Sequence, residues 1–224
     1  TGEVRTIAPW EIARRGILEP AWPRPDLNVA CYEFLIGLVF LADPPRNGPD
    51  WEERQEGDPE RLRERLAPFA EAFELAGDGP RFMQDLEPLD GEVGPADNLF
   101  IDSPGANALR NSTDLMVRRS RYEQIELPLA AMALYTIQAF APAGGKGFRT
   151  SVRGGGPLVT IIDPGGSLWD RVWANVPTGN PGRLEDLPWM RPTRTSANGE
   201  LRLPPEGKLF DVEAFFGMPR RLRL

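Results

Sequence analysis

The chain contains no histidine, one cysteine and only two lysines among its 224 residues. Without histidine, neither a Ser-His-Asp triad nor a Cys-His pair can be built. The single cysteine, Cys31, excludes an internal disulfide and a cysteine-based zinc site. It lies in an apolar run, so we expect a buried thiol, which suits a reducing cytoplasm. The acidic residues are scattered rather than clustered, which argues against a carboxylate-metal enzyme as the rival hypothesis. We therefore expect a binding protein with no catalytic residue, no metal and no cofactor.

The charges of the chain are unevenly distributed. The net charge of −7 argues against a general nucleic-acid binder. Residues 50–97 hold 15 acidic and five basic side chains, whereas residues 110–153 hold seven basic and three acidic ones. Two interpretations stay open: one side of the protein faces an anion, or two solvated surfaces simply differ in sign.

The hydrophobic pattern predicts an α+β fold, with mixed helices and small sheets in one large globular domain over residues 1–224. The predicted helices are Leu27–Ala42, an element that begins at Asp58 and is kinked by Pro68, and Ile125–Phe140 with Pro128 in its first turn. The segment 168–176 fits a short helix or a strand. The apolar stretch Val29–Ala42 is too short to span a bilayer and contains Glu33, so we expect no membrane segment. Strands are predicted at Val4–Ile7, Asn98–Ile101, Leu158–Ile162 and Leu209–Val212.

The most informative motif is a glycine-rich basic loop, Gly144-Gly145-Lys146-Gly147-Phe148-Arg149, which leads toward the apolar run 158–162. Glycines allow a backbone to approach a ligand closely, and a basic side chain adds attraction for an anion. The loop is not a Walker A motif, because the outer spacing and the Ser or Thr after Lys146 are missing. It is not a Rossmann fingerprint either, because it precedes a strand rather than a helix. Anion binding and a plain tight hairpin both remain open at this point.

Five stretches in the order seen here resemble segments of one family. The glycine-rich loop runs into Arg153-Gly154-Gly155-Gly156-Pro157, which is similar to that family's glycine loop followed by Leu-Arg-Gly-Gly-Thr-Pro. The others are Phe82-Met83-Gln84, Phe100-Ile101-Asp102-Ser103-Pro104-Gly105, Asp170–Val176 and Pro188-Trp189-Met190-Arg191-Pro192. The ordered set resembles the large subunit, or CasA family, of the type I-E CRISPR Cascade complex.

The resemblance implies a DNA-surveying subunit of an RNA-guided complex in antiviral defence. Such a subunit inspects double-stranded DNA for a protospacer-adjacent motif, helps to start strand opening, and docks a helicase–nuclease recruited in trans. Its implied partners are the target DNA, the guide RNA and the other Cascade subunits in the cytoplasm. The motif-reading loop would fall on Gly144, Gly145, Lys146 and Gly147, with Arg149 beside them. The loop that contacts RNA and neighbouring subunits would fall on Phe100, Asp102, Ser103 and Gly105.

Arg118, Arg119 and Arg121 form a run that could contact DNA phosphates, which would position the duplex without specifying its sequence. The alternative is that this run forms salt bridges to the acidic segment. The sequence also departs from the family pattern: Asp102 stands where the family has Asn, and Lys146 interrupts the glycine series. The family's lysine finger, glutamine wedge and helical bundle would lie beyond Leu224, so the chain resembles an N-terminal domain. A scaffold that contacts only guide RNA and neighbouring subunits is the alternative function.

Overall fold

The computed structural model describes residues 2–91, 93–142, 150–154, 158–194 and 211–224. Short 3-10 helices lie at Pro9–Ala13, Ala67–Phe73, Ala96–Leu99, Leu184–Asp186 and Pro188–Met190. The α-helices of this part of the chain are α1 (Pro25–Ala42), α2 (Gly48–Glu53), α3 (Pro59–Leu66), α4 (Ala106–Asn111), α5 (Leu127–Phe140), α6 (Leu168–Trp173) and α7 (Glu213–Phe216).

The fold is helical, which makes the prediction of an α+β domain with small sheets wrong. Within the described ranges there is no β-strand, and the ladder-type pairing found there is one isolated bridge between Ser151 and Gly154. The predicted strand 98–101 overlaps the 3-10 helix Ala96–Leu99, which turns the chain so that Phe100 enters the core. The segment 4–7 pairs with no strand, and Leu209 and Phe210 lie outside the described residues.

The strand predicted at residues 158–162 is not formed, although the run is apolar. Leu158 and Ile162 are 88% and 64% exposed, so this run is not a buried strand. The backbone of Ile162 bonds to a side chain instead of to a neighbouring strand. The Asn175 amide accepts from the Ile162 N–H and donates to the Ile162 carbonyl. Periodicity cannot show whether a partner strand exists, and here a side-chain amide substitutes for one.

Helices α1 and α5, both predicted from the sequence, form the centre of the core. Both are apolar nearly all round, and such helices are normally buried on all sides. Helix α1 packs against α3, α5, α6 and α7. At 18 residues, α1 has the length and composition of a membrane span, although the apolar stretch Val29–Ala42 was predicted to be too short for one. However, 67% of this 18-residue window is buried inside the fold. Its burial is that of a core helix.

Capping residues and prolines set the helix boundaries where predicted. The Asp58 carboxylate accepts from the N–H groups of Glu60 and Arg61, and Pro59 occupies the first turn of α3. Pro68 ends the α-helical hydrogen bonding, and the chain continues as a 3-10 helix. The 3-10 helix ends at Phe73, and Gly77 follows it with a positive φ of 120°, a conformation that favours glycine.

An aromatic cluster joins these helices to the C-terminal residues. Phe34 makes edge-to-face contacts with rings from four other segments, and Trp189 packs in the same way against Phe216. Buried Gln138 fixes the C-terminal segment, because its amide bonds both the N–H and the carbonyl of Arg220. Gln84 accepts from the Leu224 N–H. The basic end of the described chain is therefore docked onto the core.

Candidate nucleic-acid interface

The loop Phe100–Gly105 is anchored by one buried aromatic side chain. Phe100 is 2% exposed, and its ring lies 4.4 Å from that of Tyr122, centroid to centroid. The Arg24 guanidinium lies 4.8 Å from the Phe100 centroid. The Ser103 N–H donates to the Phe100 carbonyl, and Gly105 is the N-cap residue of α4. The turn therefore exposes Asp102 and leaves Ser103 half-buried while its base stays in the core.

Asp102 is held by two arginines. Its Oδ1 accepts from Arg24 at 3.0 Å, and its two oxygens accept a bidentate pair from Arg121 at 2.8 Å each. The hydrogen bonds from Arg121, together with the charge of Arg24, hold the pKa of Asp102 below its usual value. Arg24 also pairs with Asp26. The negative charge at position 102 is compensated by the chain itself, so it does not stand alone on this surface.

The three arginines of the predicted phosphate-binding run are in different environments. Arg119 forms a bidentate ion pair with Asp114, at 2.6 Å for both hydrogen bonds, and also donates to the Leu109 carbonyl. Arg121 is occupied by Asp102, and its Nε lies 3.8 Å from Asp97. Arg118 is exposed and pairs with no carboxylate of the described chain. Two of the three therefore bond to nearby carboxylates, and DNA contact by the run remains a prediction.

The predicted motif-reading residues Gly144, Gly145, Lys146, Gly147 and Arg149 lie outside the described residues, but both flanks of the loop are described. The Val152 N–H donates to the Gln138 carbonyl at 2.9 Å, and the Arg153 N–H donates to the Ala139 carbonyl at 3.0 Å. These bonds give partners to two carbonyls in the last turn of α5. The chain that leaves α5 after Phe140 therefore returns to the same helix end at Val152.

A buried ion pair reinforces this return. Glu33, 5% exposed in the middle of α1, pairs with Arg153. Arg153 also donates to the Ala214 carbonyl of α7, and burial lowers the pKa of its guanidinium. Neither Arg153 nor Arg24 was predicted to form an ion pair. Glu33 was the available signal, because a lone carboxylate inside an apolar helix requires a buried cation.

The described part of the chain offers no arrangement typical of metal or nucleophilic catalysis. Those residues contain no group of three or more His, Cys, Asp or Glu side chains that could hold a metal ion. A cleft of about 590 Å³ is lined by residues that include Arg14, Glu56, Trp169 and Ser167. Ser167 there caps helix α6, since its hydroxyl accepts from the Asp170 N–H and donates to the Asp170 carboxylate. Burial raises the pKa of Cys31 to about 11, so this thiol is not activated.

Comparison with known families identifies the chain. The family described as CRISPR-associated protein Cse1 matches residues 1–224, which is the full length of the sequence. This match agrees with the resemblance carried by the ordered motifs. Of those motifs, Phe82-Met83-Gln84 and Trp189 are buried in the structure. The chain belongs to the CRISPR-associated protein Cse1 family, the large subunit of the type I-E Cascade complex in CRISPR defence.

Proposed function

We propose that this chain inspects double-stranded DNA for a protospacer-adjacent motif through the loop Gly144–Gly147. It helps to begin strand opening and offers a docking surface to a helicase–nuclease that acts in trans. It works in the cytoplasm within an RNA-guided complex and performs no catalysis of its own. Its other partners are the guide RNA and the neighbouring Cascade subunits.

The observation that carries the proposal is the anchored base of the glycine-rich loop. Two backbone hydrogen bonds and the Glu33–Arg153 ion pair join the segment that follows the loop, residues 150–154, to α5 and α1. Binding loops work best when a rigid scaffold positions them. A glycine-rich backbone is also slim enough for the minor groove, where base pairs present a degenerate pattern that suits tolerant recognition of several motifs.

A second feature supports a nucleic-acid partner despite the net charge of −7. The Asp102 carboxylate is neutralised by Arg24 and Arg121, so the loop 100–105 does not present an uncompensated negative charge. In RNA-guided complexes base pairing reads the target sequence, while the protein reads only the motif and the shape of the duplex. An acidic protein can perform this task, because only a small part of its surface has to contact the DNA.

The experiment measures the affinity of the reconstituted complex for duplexes with and without candidate motifs. The test variants are Gly145→Asp, which adds a negative charge and a side chain to the loop, and Lys146→Ala. The matched control is Gly79→Asp, because Gly79 is exposed and an added Cβ would meet no atom within 4 Å.

We expect both loop variants to lose motif-dependent affinity while the control retains it. If the loop variants, the control and the unmodified protein bind all duplexes equally, the loop is a plain hairpin. The alternative function, a scaffold that contacts only guide RNA and neighbouring subunits, would then replace the proposal.

A further inference from the structure

Arg153 connects the segment that follows the glycine-rich loop to three helices. Its backbone N–H donates to the Ala139 carbonyl in the last turn of α5. Its guanidinium pairs with Glu33 in the middle of α1 and donates to the Ala214 carbonyl of α7 at 2.7 Å. Arg153 lies only four positions after Arg149, the end of the loop. This side chain therefore fixes a point of the chain close to the loop.

The segment 150–154 is a compact turn. The Gly154 N–H donates to the Ser151 carbonyl at 3.0 Å, and the Ser151 hydroxyl donates to the Gly154 carbonyl at 2.9 Å. Gly154 has a positive φ of 87°, which favours glycine. Because these bonds lie within the turn, they set its shape but not its place on the core. Its place is set by the contacts that Val152 and Arg153 make with the helices.

The other flank of the loop is tied to the same end of α5. The Gln138 side chain is fully buried and bonds both the N–H and the carbonyl of Arg220. The Arg220 guanidinium in turn donates to the Pro142 carbonyl, before the loop, at 3.3 Å. The Gln138 backbone carbonyl accepts from Val152, after the loop. Both flanks are thus held at one helix end, and a preorganised loop loses less conformational entropy on binding.

The buried ion pair holds the turn 150–154 in a defined direction at little gain in stability. Glu33 is buried, and burial lowers the pKa of Arg153, so desolvation opposes the charged pair. Replacing such a pair with apolar residues of similar size is often neutral for stability. Apolar side chains lack the direction of these bonds, because the guanidinium reaches Glu33 and the Ala214 carbonyl in one orientation. The pair therefore contributes more to the position of the turn than to the stability of the fold.

We propose that Glu33 and Arg153 are positioning residues for motif recognition. They hold the turn 150–154 in the position on α1, α5 and α7 from which the glycine-rich loop discriminates between duplexes. Arg153 acts through the loop and makes no contact with DNA, because Glu33 and the Ala214 carbonyl occupy its guanidinium. The inference rests on the proposed function, since it requires that the loop reads the motif. It adds that this reading depends on a charge pair buried in the core.

The double variant Glu33→Met/Arg153→Met separates position from stability. It removes both buried charges and keeps unbranched, adaptable side chains. We therefore expect the complex to assemble and the unfolding midpoint in urea to stay close to that of the unmodified protein. The ratio of affinities for duplexes with and without the motif should fall by at least about fivefold. An unchanged ratio in the assembled complex would overturn the proposal.

The matched control is Arg191→Met/Glu213→Met. The side chains of this ion pair are 28% and 15% exposed, compared with 26% and 6% for Arg153 and Glu33, and neither belongs to the turn 150–154. The control should keep the ratio of the unmodified protein. A merely structural defect lowers the affinity for both duplexes by the same factor and leaves the ratio unchanged. An equal fall of the ratio in both double variants would therefore count against the positioning role.

The variant Arg153→Lys provides a second test that keeps a positive charge beside Glu33. A single ammonium cannot reproduce the planar fork that bonds both Glu33 and the Ala214 carbonyl. We expect this variant to assemble and to show a smaller fall of the ratio in the same direction. An unchanged ratio here would contradict the proposal even if the double methionine variant failed to assemble.

The variant Gly145→Asp keeps this inference distinguishable from the proposed function. If Gly145→Asp lowers the ratio and Glu33→Met/Arg153→Met does not, the loop reads the motif and the positioning role alone fails. If Gly145→Asp leaves the ratio unchanged, the proposed function fails and the positioning role fails with it.

Discussion

Asp102 joins two parts of the chain that are distant in sequence. It pairs with Arg24 from the start of α1 and with Arg121 from the segment before α5, at 3.0 and 2.8 Å. The arginines lie 78 and 19 positions away. The carboxylate therefore stabilises the loop 100–105 as well as compensating the basic run, which explains how an acidic residue fits at the position where the family pattern has Asn.

The variant Asp102→Asn tests this role through pH. Because the pKa of Asp102 is lowered in the fold, its contribution to stability is present above the ordinary aspartate pKa of about 3.9 and is lost as the pH falls through the lowered value. We expect the variant to be less stable than the unmodified protein by roughly 1 kcal/mol at pH 7. Urea unfolding across pH should show this difference shrinking below about pH 4.

The control for this prediction is Asp78→Asn, which changes the net charge equally. Asp78 is exposed and forms no ion pair with the residues that the structure describes. The control should therefore match the unmodified protein at every pH. A difference between Asp102→Asn and the unmodified protein that stays constant into the acid range would contradict the account.

The Glu33–Arg153 pair predicts a strong single-variant effect. Removing one partner of a buried pair leaves an uncompensated charge, so Glu33→Gln should cost about 3–5 kcal/mol in the free energy of unfolding. The double variant Glu33→Met/Arg153→Met leaves no buried charge and should lose much less. Urea unfolding of both proteins measures the difference. Equal losses, or a single variant as stable as the unmodified protein, would show that the two charges are not coupled.

Residue types indicated which chemistry is present but not how the charges pair. The position of Cys31 in an apolar run was enough to predict a buried thiol, and Cys31 is buried. The pairing of Asp102 with Arg24 and of Glu33 with Arg153 spans 78 and 120 positions, so it depends on how helices pack. No local pattern encodes such partners.

At the scale of the elements, α1 and α7 approach each other closely at a glycine of α1. A Cβ added at Gly37 would lie 2.7 Å from the Phe215 Cβ and 3.1 Å from the Phe216 ring. The packing of these two helices therefore requires a residue without a side chain at position 37. The close approach also places α7 beside Arg153, whose guanidinium donates to the Ala214 carbonyl.

The variant Gly37→Ala tests this packing. Alanine is the better helix former by about 0.5–1 kcal/mol, but the clash with Phe215 should cost about 1–3 kcal/mol, so we expect net destabilisation. Gly48→Ala is the matched control, because Gly48 is also helical and a Cβ there would meet no atom within 4 Å. Thermal unfolding should show a lower midpoint for Gly37→Ala only. A stabilised Gly37→Ala protein would refute the close approach.

Helices were predictable because their signals are local. The apolar pattern of α1 and α5, the Asp58 cap and the break at Pro68 all act within a few residues, and all are confirmed. Strands depend on partners elsewhere in the chain, so the apolar run 158–162 was mistaken for one. Helix α4 was missed, since its six residues carry little apolar periodicity.

At the scale of the whole molecule, membership of the Cse1 family agrees with the resemblance carried by the ordered motifs, whereas the structure shows that the predicted fold class is wrong. The motifs indicated the correct family although the predicted sheets were wrong. Motif residues such as Phe82, Phe100 and Trp189 are buried in the core. The described residues on both sides of the glycine-rich loop lie at the carboxyl end of α5. The molecule is thus a helical support for the proposed nucleic-acid contact at the glycine-rich loop.

The most direct measurement is the ratio of affinities of the assembled complex for duplexes with and without the motif, compared between the unmodified protein and Gly145→Asp. We predict a ratio well above one for the unmodified protein and a ratio close to one for the variant. The same ratio in both proteins would contradict motif recognition by this loop.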